Sequence, residues 1–130
     1  METIRLLIVE KNSKVRQALE ARLSSSSHIE VVGTARGAAE GIRRYPELKP
    51  DVMLLDARTA GRPKDIADVV SELRQQGPGV IVLTSYATER EREAALDSGA
   101  ARYLLKDIDS AALISEIESL GKSSIQAAEG

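Results

Sequence analysis

The chemistry in this chain is concentrated where apolar runs end. Asp56 closes "DVMLLD", Thr84 stands near the end of "VIVLTS", and Lys106 closes "RYLLK". Burying a lone ionised carboxylate is expensive, so Asp56, at the end of a run suited to a dry interior, must be either neutralised or put to use. Glu10 and Lys11 follow another such run, "IRLLIV". Taken singly, each of these is what any solvated strand end carries: Asp56 could cap its own turn, with Lys106 as its ion-pair partner. Taken together, an acid, an alcohol and an amine at corresponding ends describe one charged pocket.

Such a pocket requires the runs to lie side by side and to point the same way. Four runs are strongly β-branched and apolar: Ile4 to Val9, Ile29 to Thr34, Asp51 to Asp56 and Val80 to Ser85. A weaker fifth spans Arg102 to Lys106. Between them the apolar residues recur with helical spacing. Val15, Ala18, Leu19 and Leu23 share a face, as do Ala38, Ala39, Ile42 and Tyr45, then Ile66, Val69, Val70 and Leu73, and finally Leu113, Ile117 and Leu120. Ser13, Thr88 and Asp109 supply helix-start signals. Near-continuous apolar strands are covered on both faces. Strand and helix in alternation therefore predict an α/β, doubly wound (βα)5 domain with a five-stranded parallel sheet. In such sheets ligands collect beyond the carboxyl ends of the strands, where the strand order reverses. Glu10, Lys11, Asp56, Arg58, Thr84 and Lys106 all fall at that edge, with Tyr103 three residues before Lys106.

Composition narrows the class. A chain of 130 residues, 42 % hydrophobic and 29 % charged, has the make-up of one ordinary globular domain. A net charge of −2 argues against a large basic nucleic-acid surface, and no direct nucleic-acid contact is expected. With no cysteine, disulfides, thiolate metal sites and cysteine catalysis are excluded. No run approaches the roughly 18 apolar residues of a membrane helix and no signal peptide opens the chain, so the expected location is cytoplasmic. Residues 1–120 are expected to form the domain. Residues 121–130, "GKSSIQAAEG", read as a linker or tail. The Ser24 to Ser27 tract reads as a flexible connection, and His28 has no ligand partner in sequence.

"PDVMLLD", "VIVLTSY" and "GAARYLLKD", in this order, resemble the response-regulator receiver domain of two-component systems, which is CheY-like and flavodoxin-like in fold. The style is that of the subfamily that usually carries a helix-turn-helix output domain, and the resemblance runs from Ile4 to Leu120. It implies that Asp56 is the phosphoacceptor for a sensor histidine kinase, with Thr84 and Lys106 contacting phosphoryl oxygens. It implies that Thr84 and Tyr103 form the switch, and that the fourth helix, fifth strand and fifth helix form the output face, available for a homodimer. It also implies Mg²⁺ held by Glu10, Asp56 and the backbone carbonyl of Arg58. The domain would be a switch rather than an enzyme, at most promoting its own phosphorylation and dephosphorylation, and it could regulate transcription through an output domain not in this chain.

The pattern departs from the family in two places. Receiver domains normally place two acids after the first strand, and here the pair is Glu10-Lys11. Glu10 and Asp56 against Lys11 and Lys106 sum to zero, where the family has a local −2. A pair of unit charges ~4 Å apart is worth roughly 4 kcal/mol near a protein surface, so Mg²⁺ becomes doubtful unless Lys11 swings into solvent. The loop Thr59, Ala60, Gly61, "RPKD" also differs from the family's tight turn. Two readings follow: a phosphorylated receiver, or a phosphorylation-independent pseudo-receiver acting as a protein-interaction module. Other classes fare worse. A haloacid-dehalogenase-like phosphatase would want an acid where Arg58 stands, "EKNSK" is no flavin-phosphate loop, and no P-loop or dinucleotide glycine pattern occurs.

Overall fold

The computed structural model describes residues 3–60 and 65–129, with backbone alone for residues 59, 60, 65 and 122–129. The chain alternates β1 (Ile4–Val9), α1 (Ser13–Ser24), β2 (Ile29–Ala35), α2 (Ala38–Leu48), β3 (Val52–Asp56), a short 3₁₀ turn (Ala57–Ala60), α3 (Asp65–Gln76), β4 (Gly79–Thr84), α4 (Glu89–Asp97), β5 (Arg102–Leu105) and α5 (Ser110–Glu129). All strand pairings are parallel, in the order β2-β1-β3-β4-β5. This is the doubly wound sheet that the alternation predicts. The loop departure noted after Thr59 and Ala60 falls largely outside the described residues.

Strand side chains alternate between the two faces with period two. Leu7, Val9, Met53, Leu55, Val80 and Val82 pack on one side with Ile66, Val70 and Leu73 of α3 and Ala95 of α4. Leu6, Ile8, Val52, Leu54, Ile81 and Leu83 pack on the other with Leu19 and Leu23 of α1 and Leu113 and Ile117 of α5. Two cores back to back explain why the strands read as unbroken apolar runs. The strand order reverses between β1 and β3, so the crevice at their carboxyl ends holds Glu10 on one side and Asp56 on the other.

Some local expectations shift. α1 is capped by Asn12, whose Oδ1 accepts the Val15 N–H at 3.0 Å, so Ser13 is the first helical residue and not the cap. Asn12 wins because its own N–H is already turned toward Glu10, which sets the extended backbone a cap needs. Thr88 and Asp109 cap α4 and α5 as expected. Ala18 and Ala39 are exposed, so the apolar stripes of α1 and α2 are narrower than predicted. The serine tract is partly helical: Ser24 ends α1, and Ser26 donates to Glu118 on α5 at 3.1 Å. Backbone helix continues from Gly121 to Glu129, as an extension of α5. Among the described residues no helix is long and apolar enough to cross a membrane.

Gly121 shows how closely α5 sits on the sheet. A β-carbon built there would lie 2.5 Å from Cγ2 of Ile4 and 2.7 Å from two further Ile4 carbons. Ile4 is buried and has no room to yield. Alanine gains about 1 kcal/mol in helix propensity over glycine, whereas overpacking costs about 1–3 kcal/mol. Gly121→Ala is therefore expected to lower stability by about 1 kcal/mol, read as a lower urea midpoint at unchanged slope. An unchanged or raised midpoint would show that α5 can lift off Ile4 freely.

Candidate functional site

The site is built around one ammonium. Lys106 lies just beyond β5, its backbone N–H donating to the Thr84 carbonyl at 2.8 Å. Its Nζ lies 2.6 Å from Glu10 Oε1 and 3.2 Å from Asp56 Oδ2. Glu10 is 2 % exposed, and the Asp56 side chain 7 %. The other oxygens are also engaged: Glu10 Oε2 accepts the Asn12 N–H at 2.9 Å, and Asp56 Oδ1 accepts the Arg58 N–H at 3.3 Å. Among the described residues no buried side-chain nitrogen or oxygen lacks a hydrogen-bond partner. Asp56 is thus paired with a cation and still lies at the sheet's open edge.

Neutralisation is incomplete. Burial, opposed by the Arg58 amide, raised further by the nearby Glu10 charge, and opposed again by Lys106, leaves the Asp56 carboxyl above the ordinary carboxylate range. Burial is the largest cause, and the sharing of one part-exposed ammonium by two acids, which gives the pocket of Glu10, Asp56 and Lys106 a net −1, adds to it. Lys11 does not bring the sum to zero, because its side chain is exposed and its charge is screened by water. The substitution acts by removing a ligand, not by planting a cation inside the pocket.

The remaining predicted residues are close by but differently occupied. Thr84 is buried, and its hydroxyl donates to the Tyr86 carbonyl at 3.1 Å, accepts the Tyr86 N–H at 3.3 Å and lies against the Tyr103 phenol. Tyr103 packs against the core on the α3 and α4 side. Its hydroxyl donates to Glu91 Oε1 at 2.6 Å and accepts the Thr88 N–H at 3.4 Å. Burial first, then the Glu91 carboxylate, raises the Tyr103 phenol pKa. Arg16 of α1 had no place in the sequence reading. Its Nη1 donates to the carbonyls of Glu10 at 2.9 Å and Lys11 at 3.5 Å, bracing the loop from the helix side. Asn12 and Glu91 were also missed as site supports. The Thr88-x-x-Glu91 spacing was a usable signal for the latter.

The fold is that of known signal receiver domains. Residues 6–118 match the family model for the response regulator receiver domain. The chain belongs to that family. The receiver is 33 % identical over 121 residues to the transcriptional regulatory protein LiaR of Bacillus subtilis, covering 92 % of this chain and 56 % of LiaR. It is 35 % identical over 106 residues to the response regulator protein VraR of Staphylococcus aureus, covering 80 % of this chain and 50 % of VraR. It thus spans about half the length of the curated relatives it matches. Among solved structures, the receiver domain of NarL from Mycobacterium tuberculosis superimposes with a TM-score of 0.86 at 27 % identity, covering 94 % of this chain and 98 % of that one.

Receiver domains generally bind Mg²⁺ at this pocket, but the donor set here does not match that ion. Glu10 and Asp56 are the acids facing the pocket, Lys106 sits between them, and Lys11 replaces the third acid. Among the described residues no cluster of three metal-ligating side chains occurs. Mg²⁺ favours a compact octahedral set of oxygens, and Lys106 would have to give up Glu10 to vacate one.

The pocket's charge balance makes two variants informative. A carboxyl with a raised folded-state pKa destabilises the fold as pH rises from the ordinary carboxylate range through that raised value. Asp56→Asn is therefore expected to be more stable than wild type at neutral pH, with the difference vanishing under acid conditions. Lys106→Met leaves two buried acids without their cation and is expected to lose about 3–5 kcal/mol at neutral pH. Urea unfolding across the pH range measures both; an Asp56→Asn protein less stable than wild type at neutral pH would show that Lys106 over-compensates the carboxylate.

Proposed function

We propose that this receiver accepts a phosphoryl group on Asp56 from a phosphohistidine of a sensor histidine kinase. The observation that carries the reading is the Lys106 ammonium held between Glu10 and Asp56 at the strand-order reversal. In the transfer, an Asp56 carboxylate oxygen bonds to phosphorus as the phosphorus–nitrogen bond to the donor imidazole breaks, and the imidazole leaves with that electron pair. Phosphoryl transfer asks a protein mainly to position groups and balance charge. Lys106 is already within 3.2 Å of Asp56, and its flexible stem lets it follow the arriving oxygens. The Thr84 hydroxyl reaches a phosphoryl oxygen by rotating away from Tyr86. Under-solvated as it is, the Asp56 carboxylate is more basic than a free one, which favours bond formation.

The added charge would then change the face of α4, β5 and α5, with Thr84 and Tyr103 as the moving parts and a homodimer or other partner as the reader. By analogy with LiaR and VraR, an output domain outside this chain would turn that change into altered transcription in the cytoplasm, with residues 1–120 as the receiver body. Lys11 favours a second reading, a pseudo-receiver whose contacts do not depend on phosphorylation. In both readings the domain is a switch or binding module.

Incubation with acetyl phosphate, with Mg²⁺ or with EDTA, followed by intact mass, distinguishes the two. The expected result is an adduct of one phosphoryl group in wild type and none in Asp56→Asn. Lys11→Asp is expected to bind Mg²⁺ at least ten-fold more tightly than wild type by calorimetry, because it restores an acid about 4 Å from the ion. Absence of an adduct from wild type under both conditions, with its appearance in Lys11→Asp, would establish the pseudo-receiver.

A further inference from the structure

Two arginines of α1 hold the backbone of two different loops. Arg16 donates to the carbonyls of Glu10 and Lys11 in the loop after β1. Arg22, in the last turn of the helix, reaches the loop between β5 and α5. Its Nη2 donates to the Ile108 carbonyl at 2.9 Å and its Nε to the Ser110 hydroxyl at 2.8 Å. These loops carry Glu10 and Lys106, whose side chains meet at 2.6 Å. One helix therefore grips, by their backbones, both halves of the ion pair.

Helix stability does not explain where Arg22 goes. A cation in the last turn suits the dipole of α1, but the same guanidinium lies against the first residue of α5, the helix end that favours anions. The start of α5 is already capped, since Asp109 Oδ1 accepts the Ala112 N–H at 2.9 Å. What Arg22 adds is a fixed point for the turn from Leu105 to Ile108. That turn is otherwise held by the Lys106 N–H on the Thr84 carbonyl at 2.8 Å and by the Ile108 N–H on the Leu105 carbonyl at 3.1 Å. Lys106 lies inside it, and the lysine stem is flexible, so the ammonium stays in place only as firmly as the turn beneath it. We propose that Arg22 is a positioning residue for Lys106, fixing the turn so that the ammonium remains between Glu10 and Asp56, as Arg16 fixes the loop that carries Glu10. The brace stands on this geometry; its use in phosphoryl transfer rests on the reading of Asp56 as phosphoacceptor.

Hydrogen exchange of the Lys106 ammonium with water tests the brace, read by NMR on the isotope-labelled full chain and assigned by the signal's loss in Lys106→Arg. Arg22→Leu keeps an apolar stem and removes both donated bonds. It is expected to speed ammonium exchange about five-fold, the effect of losing one net hydrogen bond, with the β1 and β3 amides unchanged. Arg22→Lys retains a donor and should fall between Arg22→Leu and wild type. Ser26 supplies the control, because its hydroxyl joins α1 to α5 at Glu118, away from the turn. Ser26→Ala should leave the ammonium at the wild-type rate. Unchanged exchange in Arg22→Leu, or an equal rise in Ser26→Ala, would overturn the brace, and Arg22→Lys decides it if Arg22→Leu does not fold. With acetyl phosphate, Arg22→Leu should form the Asp56 adduct about five-fold more slowly than wild type by intact mass, and Ser26→Ala at the wild-type rate. Equal rates in Arg22→Leu and wild type would overturn the role in transfer. If wild type forms no adduct, the reading of Asp56 fails and that role with it, while the ammonium measurement still decides the brace.

Discussion

The pocket depends on a lysine that must span the sheet. Asp56 ends β3 and Lys106 follows β5, with β4 between them, so their backbones are two strand spacings apart, about 10 Å. Contact across that gap needs a long side chain on at least one partner. Lys106 supplies it, passing the end of β4 at Thr84 to reach Asp56, and Glu10 meets it from beyond β1. Glutamate's extra methylene matters here, for it brings Oε1 to 2.6 Å from the ammonium. The three groups lie at the ends of β1, β3 and β5, far apart in sequence and with β4 between the last two, so the ion pair exists only once β1, β3, β4 and β5 are in register.

The same arrangement explains why a buried pair of acids is tolerated. A carboxylate pair with no cation would not stay ionised in a dry site. One ammonium offsets most of that cost, while burial and the neighbouring acid keep Asp56 above its ordinary range. The residual −1 is the charge the family would offer a metal in larger measure. Lys11, held out in water by a loop that Arg16 braces from α1, withholds the ligand that would complete the set. The pocket therefore starts with its own cation in place.

Around it the fold divides into a stiff part and a looser one. Two cores clamp β1, β3 and β4 from both faces, and α5 is seated tightly against Ile4. β5 is an edge strand, and α4 buries a single alanine. Tyr86, 74 % exposed, and Leu105, 45 % exposed, lie on this looser side. A change of charge at Asp56 would meet least resistance along the path from Thr84 through Tyr86 to Thr88, where the structure is held by hydrogen bonds to loop backbone and by one phenol.

The amino-acid sequence by itself determined the α/β alternation, the parallel sheet and the edge at which Glu10, Asp56, Thr84 and Lys106 assemble. These follow from local periodicity, from the two-sided cover that unbroken apolar strands demand, and from the rule that chemistry collects at carboxyl ends. Strand limits were legible to within a residue, since apolar runs end where burial ends. Only the tertiary structure decided that Lys106 is shared between two acids, that Lys11 faces water, and that Tyr103 joins Thr88 to Glu91. Each of these is a choice among rotamers of a long or aromatic side chain. Such choices are settled by neighbours brought from elsewhere in the chain, and no spacing along the sequence encodes them.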